Sequence, residues 1–98
     1  MKTFMWLVFL LLPSIAFADA TIVQKGRRFN PAEITIPKGA NLTFTNNDEF
    51  IHQIYANGLF DSDERVPGQT LVETFPDEGT FEVHCHIHPK MKLVVRVN

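Results

Sequence analysis

From Gly26 onward, turn-forming residues punctuate the chain about every eight to twelve residues, and no window between them carries a helical period. That spacing admits short strands and little else. Thr21-Ile22-Val23 is β-branched and ends at Gly26. Glu33-Ile34-Thr35-Ile36 alternates polar and apolar residues and closes on the turn Pro37-Lys38-Gly39. Asn41 to Thr45 alternates again and puts Leu42 and Phe44 on one face, and Asn46-Asn47-Asp48-Glu49 then reads as a loop. A short strand is expected over His52 to Tyr55, followed by a long irregular crossing from Ala56 to Gly68. Thr70 to Phe75, Thr80 to His84 and Lys92 to Val97 complete the set. Phe81, Val83 and Cys85 share a face, as do Leu93, Val95 and Val97. Phe29, Phe44, Phe60, Phe75 and Phe81 are the natural core residues. The pattern predicts an all-β antiparallel sandwich or small barrel.

Not all 98 residues belong to that pattern. Met1-Lys2-Thr3 supplies a positive charge, Phe4 to Leu12 is unbroken apolar sequence, and Ala16-Phe17-Ala18 follows a Pro13-Ser14 break. These are the three parts of a secretory signal, with cleavage expected after Ala18. The apolar run is shorter than the roughly 20 residues a bilayer requires, so no stable membrane insertion is expected once it is removed. The remaining piece, residues 19–98, is a single domain of 80 residues. A domain of that size is marginal without a disulfide or a metal. Cys85 is the only cysteine, so no disulfide can form within the chain. A metal is left.

Charge is uninformative about partners. With Lys2 gone, eight basic and eleven acidic side chains remain, a net of −3. The basic residues are scattered apart from Arg27-Arg28 and Lys90/Lys92, which gives no nucleic-acid footprint.

The residues that can hold a soft metal are concentrated. His84, Cys85, His86, His88 and Met91 fall within eight consecutive positions, and His52 is the one histidine outside them. Cys85-x-x-His88-x-x-Met91 follows a strand and contains Pro89, so it should form a tight loop aiming three side chains at one point. Thiolate, imidazole and thioether form a soft set that favours copper, and His52 is the natural source of a second imidazole. Two imidazoles and a thiolate with a weak axial thioether make a blue-copper electron-transfer site.

These residues resemble a known family. Phe29-Asn30-Pro31, the Pro37-Lys38-Gly39 turn before Leu42-Thr43-Phe44-Thr45-Asn46, His52, Thr74-Phe75, Gly79-Thr80-Phe81 and Cys85-His86-Ile87-His88-Pro89-Lys90-Met91 resemble cupredoxins of the plastocyanin, pseudoazurin and amicyanin group. The ligand loop is most similar to that of amicyanin. The resemblance implies a Greek-key β-sandwich with copper on His52, Cys85, His88 and Met91. It also implies single-electron shuttling between periplasmic redox proteins, such as a dehydrogenase or a c-type cytochrome, with docking around His88. The single small domain, without obvious sticky strands, is expected to be a monomer. Two positions depart from the pattern: Gln53 stands where an asparagine commonly ties the ligand loops together, and Lys90 replaces an apolar residue. The domain is also shorter than is typical, which leaves room for an abbreviated edge strand.

Each residue has a plainer reading. Cys85 alone could be a buried thiol, Met91 a core filler and His52 a solvated loop residue. Strand alternation sends His84 away from Cys85. His86 should also point off the site, where with His88 it could offer copper a transient outer stop. Asp61-Ser62-Asp63-Glu64 lacks the glycine and bidentate glutamate of a calcium loop. Besides an electron carrier, a copper-handling protein for resistance, storage or delivery would need the same donors. An enzyme would need an open coordination position or a second metal, and the sequence holds no second ligand cluster.

Overall fold

A computed structural model describes residues 19–98; the expected export signal over residues 1–18 lies outside the described residues. Within them every regular element is a strand. The nine strands are β1 (Ala20–Gln24), β2 (Phe29–Asn30), β3 (Glu33–Ile36), β4 (Asn41–Asn46), β5 (Ile54–Ala56), β6 (Phe60–Asp61), β7 (Thr70–Thr74), β8 (Gly79–Cys85) and β9 (Lys92–Val97). They form two sheets, ordered β2-β1-β4-β7 and β3-β9-β8-β5-β6.

Alternation decides which residues lie between the sheets. In β4 the side chains of Leu42, Phe44 and Asn46 are buried, and in β9 those of Leu93, Val95 and Val97. The five phenylalanines read as core form one continuous aromatic run. Ring centroids lie 6.3 Å apart for Phe29–Phe44, 6.2 Å for Phe44–Phe60, 6.2 Å for Phe60–Phe75 and 5.8 Å for Phe75–Phe81. Such edge-on and tilted pairs add about 0.5–1.5 kcal/mol each beyond the area they bury.

The all-β sandwich is as expected, with one refinement: both sheets are mixed. β1 runs parallel to β4 and β3 parallel to β9, while the other five pairings are antiparallel. The chain passes repeatedly from one sheet to the other, and that passage lets non-consecutive strands lie side by side in the same direction. Two short strands fall outside the expected set. β2 pairs with β1 across a two-residue turn, and β6 breaks the expected irregular crossing by pairing with β5. Each is an edge strand of two residues, which limits the unpaired backbone open to other chains.

Two turns set the framework. At Pro37-Lys38-Gly39-Ala40, Gly39 adopts φ 88° and the Ala40 amide donates to the Pro37 carbonyl, a turn that needs glycine at its third position. Between β1 and β2, Gly26 and Arg27 both have positive φ, at 64° and 56°. Lys25 and Arg28 exchange backbone hydrogen bonds of 3.1 and 3.2 Å across them. That is the hairpin turn whose twist matches the strands, and it forces a non-glycine residue into the left-handed region.

Edge strand β7 carries an inward-facing carboxylate. Glu73 sits opposite the buried Leu42 in the β4–β7 register. Burial raises its carboxyl above the ordinary range, and Arg65 only partly opposes this. A carboxyl raised in the folded state destabilises that state above the unfolded-state pKa, because the unfolded chain then ionises more readily. Glu73→Gln is therefore expected to raise stability by about 0.5 kcal/mol at pH 7. The gain should fade as pH falls below about 4, and urea denaturation at the two pH values measures it.

Candidate metal centre

The β4–β5 and β8–β9 connections lie at one end of the sandwich. Antiparallel pairing sets Ile54 against Cys85, so the residue ending β8 and the segment entering β5 are neighbours. The His86 amide donates to the Gln53 carbonyl at 2.8 Å and closes this junction. The loops are therefore tied through the backbone at Gln53, a bond that does not depend on which side chain stands there.

His52 is wholly buried. It is held on both sides of its backbone by Arg65, through hydrogen bonds of 3.0 and 2.7 Å. Its Nδ1 lies 3.5 Å from Cys85 Sγ, also buried, and its ring centroid is 5.0 Å from that of His88. Met91 is buried where the chain enters β9, and its amide donates to the His88 carbonyl at 2.9 Å. His88 and Met91 line one surface depression together. All four side chains read from the sequence thus meet at the same end of the fold.

Hydrogen-bond polarity at His52 follows from its second partner. Its Nε2 lies 2.7 Å from Asp48 Oδ2. Burial works to raise the Asp48 carboxyl, but its bonds with His52 and with the amides of Arg27 and Gly26 outweigh that and hold it below the usual range. An ionised carboxylate only accepts, so Nε2 carries a proton, and in the neutral imidazole Nδ1 then presents a lone pair toward sulfur. The Cys85 thiol donates to that lone pair. A metal entering between them would displace this proton and take both donors.

His88 supplies the test of fit. Its Nε2 is buried and has no hydrogen-bond partner. Leaving a buried polar group so costs on the order of 1–3 kcal/mol, and a cation among these donors would remove that cost. Burial, helped by the facing His52 and Arg27 and opposed by Asp48, lowers the His88 imidazole below its ordinary range. It is neutral at pH 7 and able to act as a ligand. Among the described residues no three His, Cys, Asp or Glu side chains form a ready-made metal cluster. The donors that converge here include a thioether and suit a softer ion.

The other histidines lie elsewhere, as strand alternation requires. His84 Nε2 pairs with Glu82 at 3.1 Å. His86 is exposed, 3.0 Å from Asp61, and stacked on Tyr55 with centroids 4.1 Å apart. In the run Asp61 to Glu64, Ser62 is buried and its Oγ accepts the Ile54 amide, which makes it a brace for β5 and not merely part of a solvated loop.

Chains of known function or structure share this architecture. A cupredoxin-like domain model matches residues 2–95. The chain belongs to the cupredoxin-like family. It is 33% identical over 92 residues to plastocyanin A/B of Petroselinum crispum, covering 74% of this chain and 90% of that one. A purple cupredoxin from Nitrosopumilus maritimus superposes with a TM-score of 0.76 at 26% identity, over 81% of this chain and 99% of that one. A reduced Cu(I) form of an amicyanin variant gives a TM-score of 0.77 over 87% of each chain, at 21% identity, and shares the fold. The same sandwich recurs within a copper-containing nitrite reductase of Thermus scotoductus (TM-score 0.76, 25% identity), over 93% of this chain but 25% of that one. Copper is the cofactor of this cupredoxin.

Asp48 and Asn46 were read from sequence only as loop residues, because an acidic, asparagine-rich segment looks the same whether solvated or folded inward. Asn46 is fully buried. Its Nδ2 donates to the Phe50 and Arg65 carbonyls at 2.8 Å each, and its Oδ1 accepts the Asp48 amide at 2.9 Å. Asn46→Ala should therefore cost about 3 kcal/mol, near 1 for each bond, in urea denaturation.

Proposed function

We propose that this cupredoxin is an exported type 1 copper protein that carries single electrons, with copper held by His52, Cys85, His88 and Met91. The observation that supports this most is the buried 3.5 Å approach of Cys85 Sγ to His52 Nδ1, with the unpartnered nitrogen of His88 beside them. When bound, copper supplies a reversible one-electron centre. The chain holds two imidazoles and a thiolate in fixed places, so little rearranges as charge changes. Catalysis would need a position open to substrate, and this ligand set, buried at His52, Cys85 and Met91, favours a carrier. Copper handling would draw on His86 as an outer stop; its pairing with Asp61 and stacking on Tyr55 favour the carrier as well.

The expected export signal supports a periplasmic location, and a single small domain suits a monomer. Among the described residues no helix is long and apolar enough to cross a membrane. Docking is proposed at the His88 end, where Phe50, Ile51 and Ile87 are exposed. The two basic pairs, far apart in sequence, come together there: Arg27, Arg28, Lys90 and Lys92 line one groove beside Met91. Although the domain is acidic overall, its electron port is flanked by cations, which suits redox partners with an acidic face.

Loaded with Cu(II), residues 19–98 should show an intense thiolate-to-copper absorption and narrow copper hyperfine splitting in electron paramagnetic resonance. His88→Gly should open the site to external imidazole. A colourless protein with tetragonal copper would sink the proposal. At low ionic strength, electron exchange should be faster with anionic than with cationic small redox reagents. That preference should collapse in about 0.5 M salt and reverse in the Arg27→Glu/Lys90→Glu double variant, as stopped-flow rates would show.

A further inference from the structure

The Asp48 carboxylate has a place in the fold that loop residues rarely have. It is almost fully buried, four residues before His52. Four hydrogen bonds hold the residue. Oδ1 accepts the Gly26 amide at 2.5 Å, Oδ2 accepts the Arg27 amide at 3.0 Å and His52 Nε2 at 2.7 Å, and the Asp48 amide donates to Asn46 Oδ1 at 2.9 Å. The amides of Gly26 and Arg27 can converge because both residues are left-handed, at φ 64° and 56°. Consecutive amides turned to one side form an anion-binding concavity. The strained conformation of Arg27 thus has a counterpart: it aims a donor at this carboxylate.

We infer that Asp48 is a positioning residue for the copper site, which fixes His52 as the Nε2–H tautomer and sets the reduction potential through its negative charge. This rests on His52 being a copper ligand. Two consequences follow from elementary chemistry. With Nε2 committed to Asp48, only Nδ1 can face Cys85, so the ring need not choose a tautomer when metal arrives. A carboxylate on the far nitrogen also makes the imidazole a stronger donor than a neutral partner would. Stronger donation favours the more highly charged Cu(II), so Asp48 holds the potential down. Because the carboxylate is buried and anchored by two backbone amides, its effect is little screened by salt.

The experiment compares the wild type with Asp48→Asn and Asp48→Ala. Asparagine can still accept the Nε2 proton but carries no charge; alanine removes both. In the metal-free wild type, ¹⁵N shifts of the His52 ring should report the Nε2–H tautomer alone. Asp48→Ala should give a mixture and weaken Co(II) binding by about 10- to 100-fold. In Asp48→Asn the copper spectrum should stay near that of the wild type while the reduction potential rises. An unchanged potential in Asp48→Asn, with a normal copper spectrum, overturns the inference and leaves the ligand set intact. A wild-type ring protonated on Nδ1 overturns it without any variant. If His52→Gly keeps the wild-type copper spectrum, the ligand set falls and the inference with it.

Discussion

The end of the fold proposed to hold copper depends on one junction, where β5 and β8 pair at Ile54 and Cys85 and the His86 amide reaches the Gln53 carbonyl. Through it two loops separated by 33 residues present His52 and Cys85 to each other at 3.5 Å. A buried thiol beside a buried imidazole is a poor arrangement for stability alone, since an aliphatic pair would pack as well without polar atoms to satisfy. Its persistence in so small a core makes sense where a metal uses both groups. The sandwich behind it provides rigidity: the aromatic run from Phe29 to Phe81 crosses the core and leaves the loops little freedom to shift.

How much of this was legible in the sequence depended on whether a feature was local. Period-two alternation in Asn41 to Thr45 and Lys92 to Val97 identified strands and their inner faces directly. The crowding of Cys85, His88 and Met91 pointed to a soft-metal loop because the three proposed ligands are near neighbours in the chain. The direction of strand pairing was not legible. The parallel contacts of β1 with β4 and β3 with β9 join segments far apart in sequence, and alternation looks alike in either direction. The strands of two residues were too short to carry any period. Asp48 and Asn46 were hidden for a further reason. Their partners are backbone groups and a histidine brought up by the fold, and residue type alone does not distinguish an inward from a solvated asparagine. The gathering of Arg27, Arg28, Lys90 and Lys92 around one groove likewise needed the β1–β2 turn to be placed against the ligand loop.

That turn joins two properties that would otherwise be independent. The amides of Gly26 and Arg27 hold Asp48 against the far side of His52. The guanidinium of Arg27 leaves the same turn in the other direction and lies 4.2 Å over the ring of Phe50, which in turn packs edge-on to His88 at 6.0 Å. One residue thus contributes its backbone to the inner surroundings of one imidazole and its side chain to the outer surroundings of another. The two contributions respond differently to change. Replacing the Arg27 side chain by another unbranched one alters the charge and shape of the proposed docking face while the amide stays where it is. Proline cannot hold φ 56° at this position and a β-branched residue holds it only under strain, so either would move the amide and, through Asp48, disturb the proposed copper environment. On the proposed reading, surface charge at the port can therefore vary without retuning the metal only while the turn geometry is kept. Glycine at position 26 and a residue tolerant of the left-handed conformation at 27 meet that requirement.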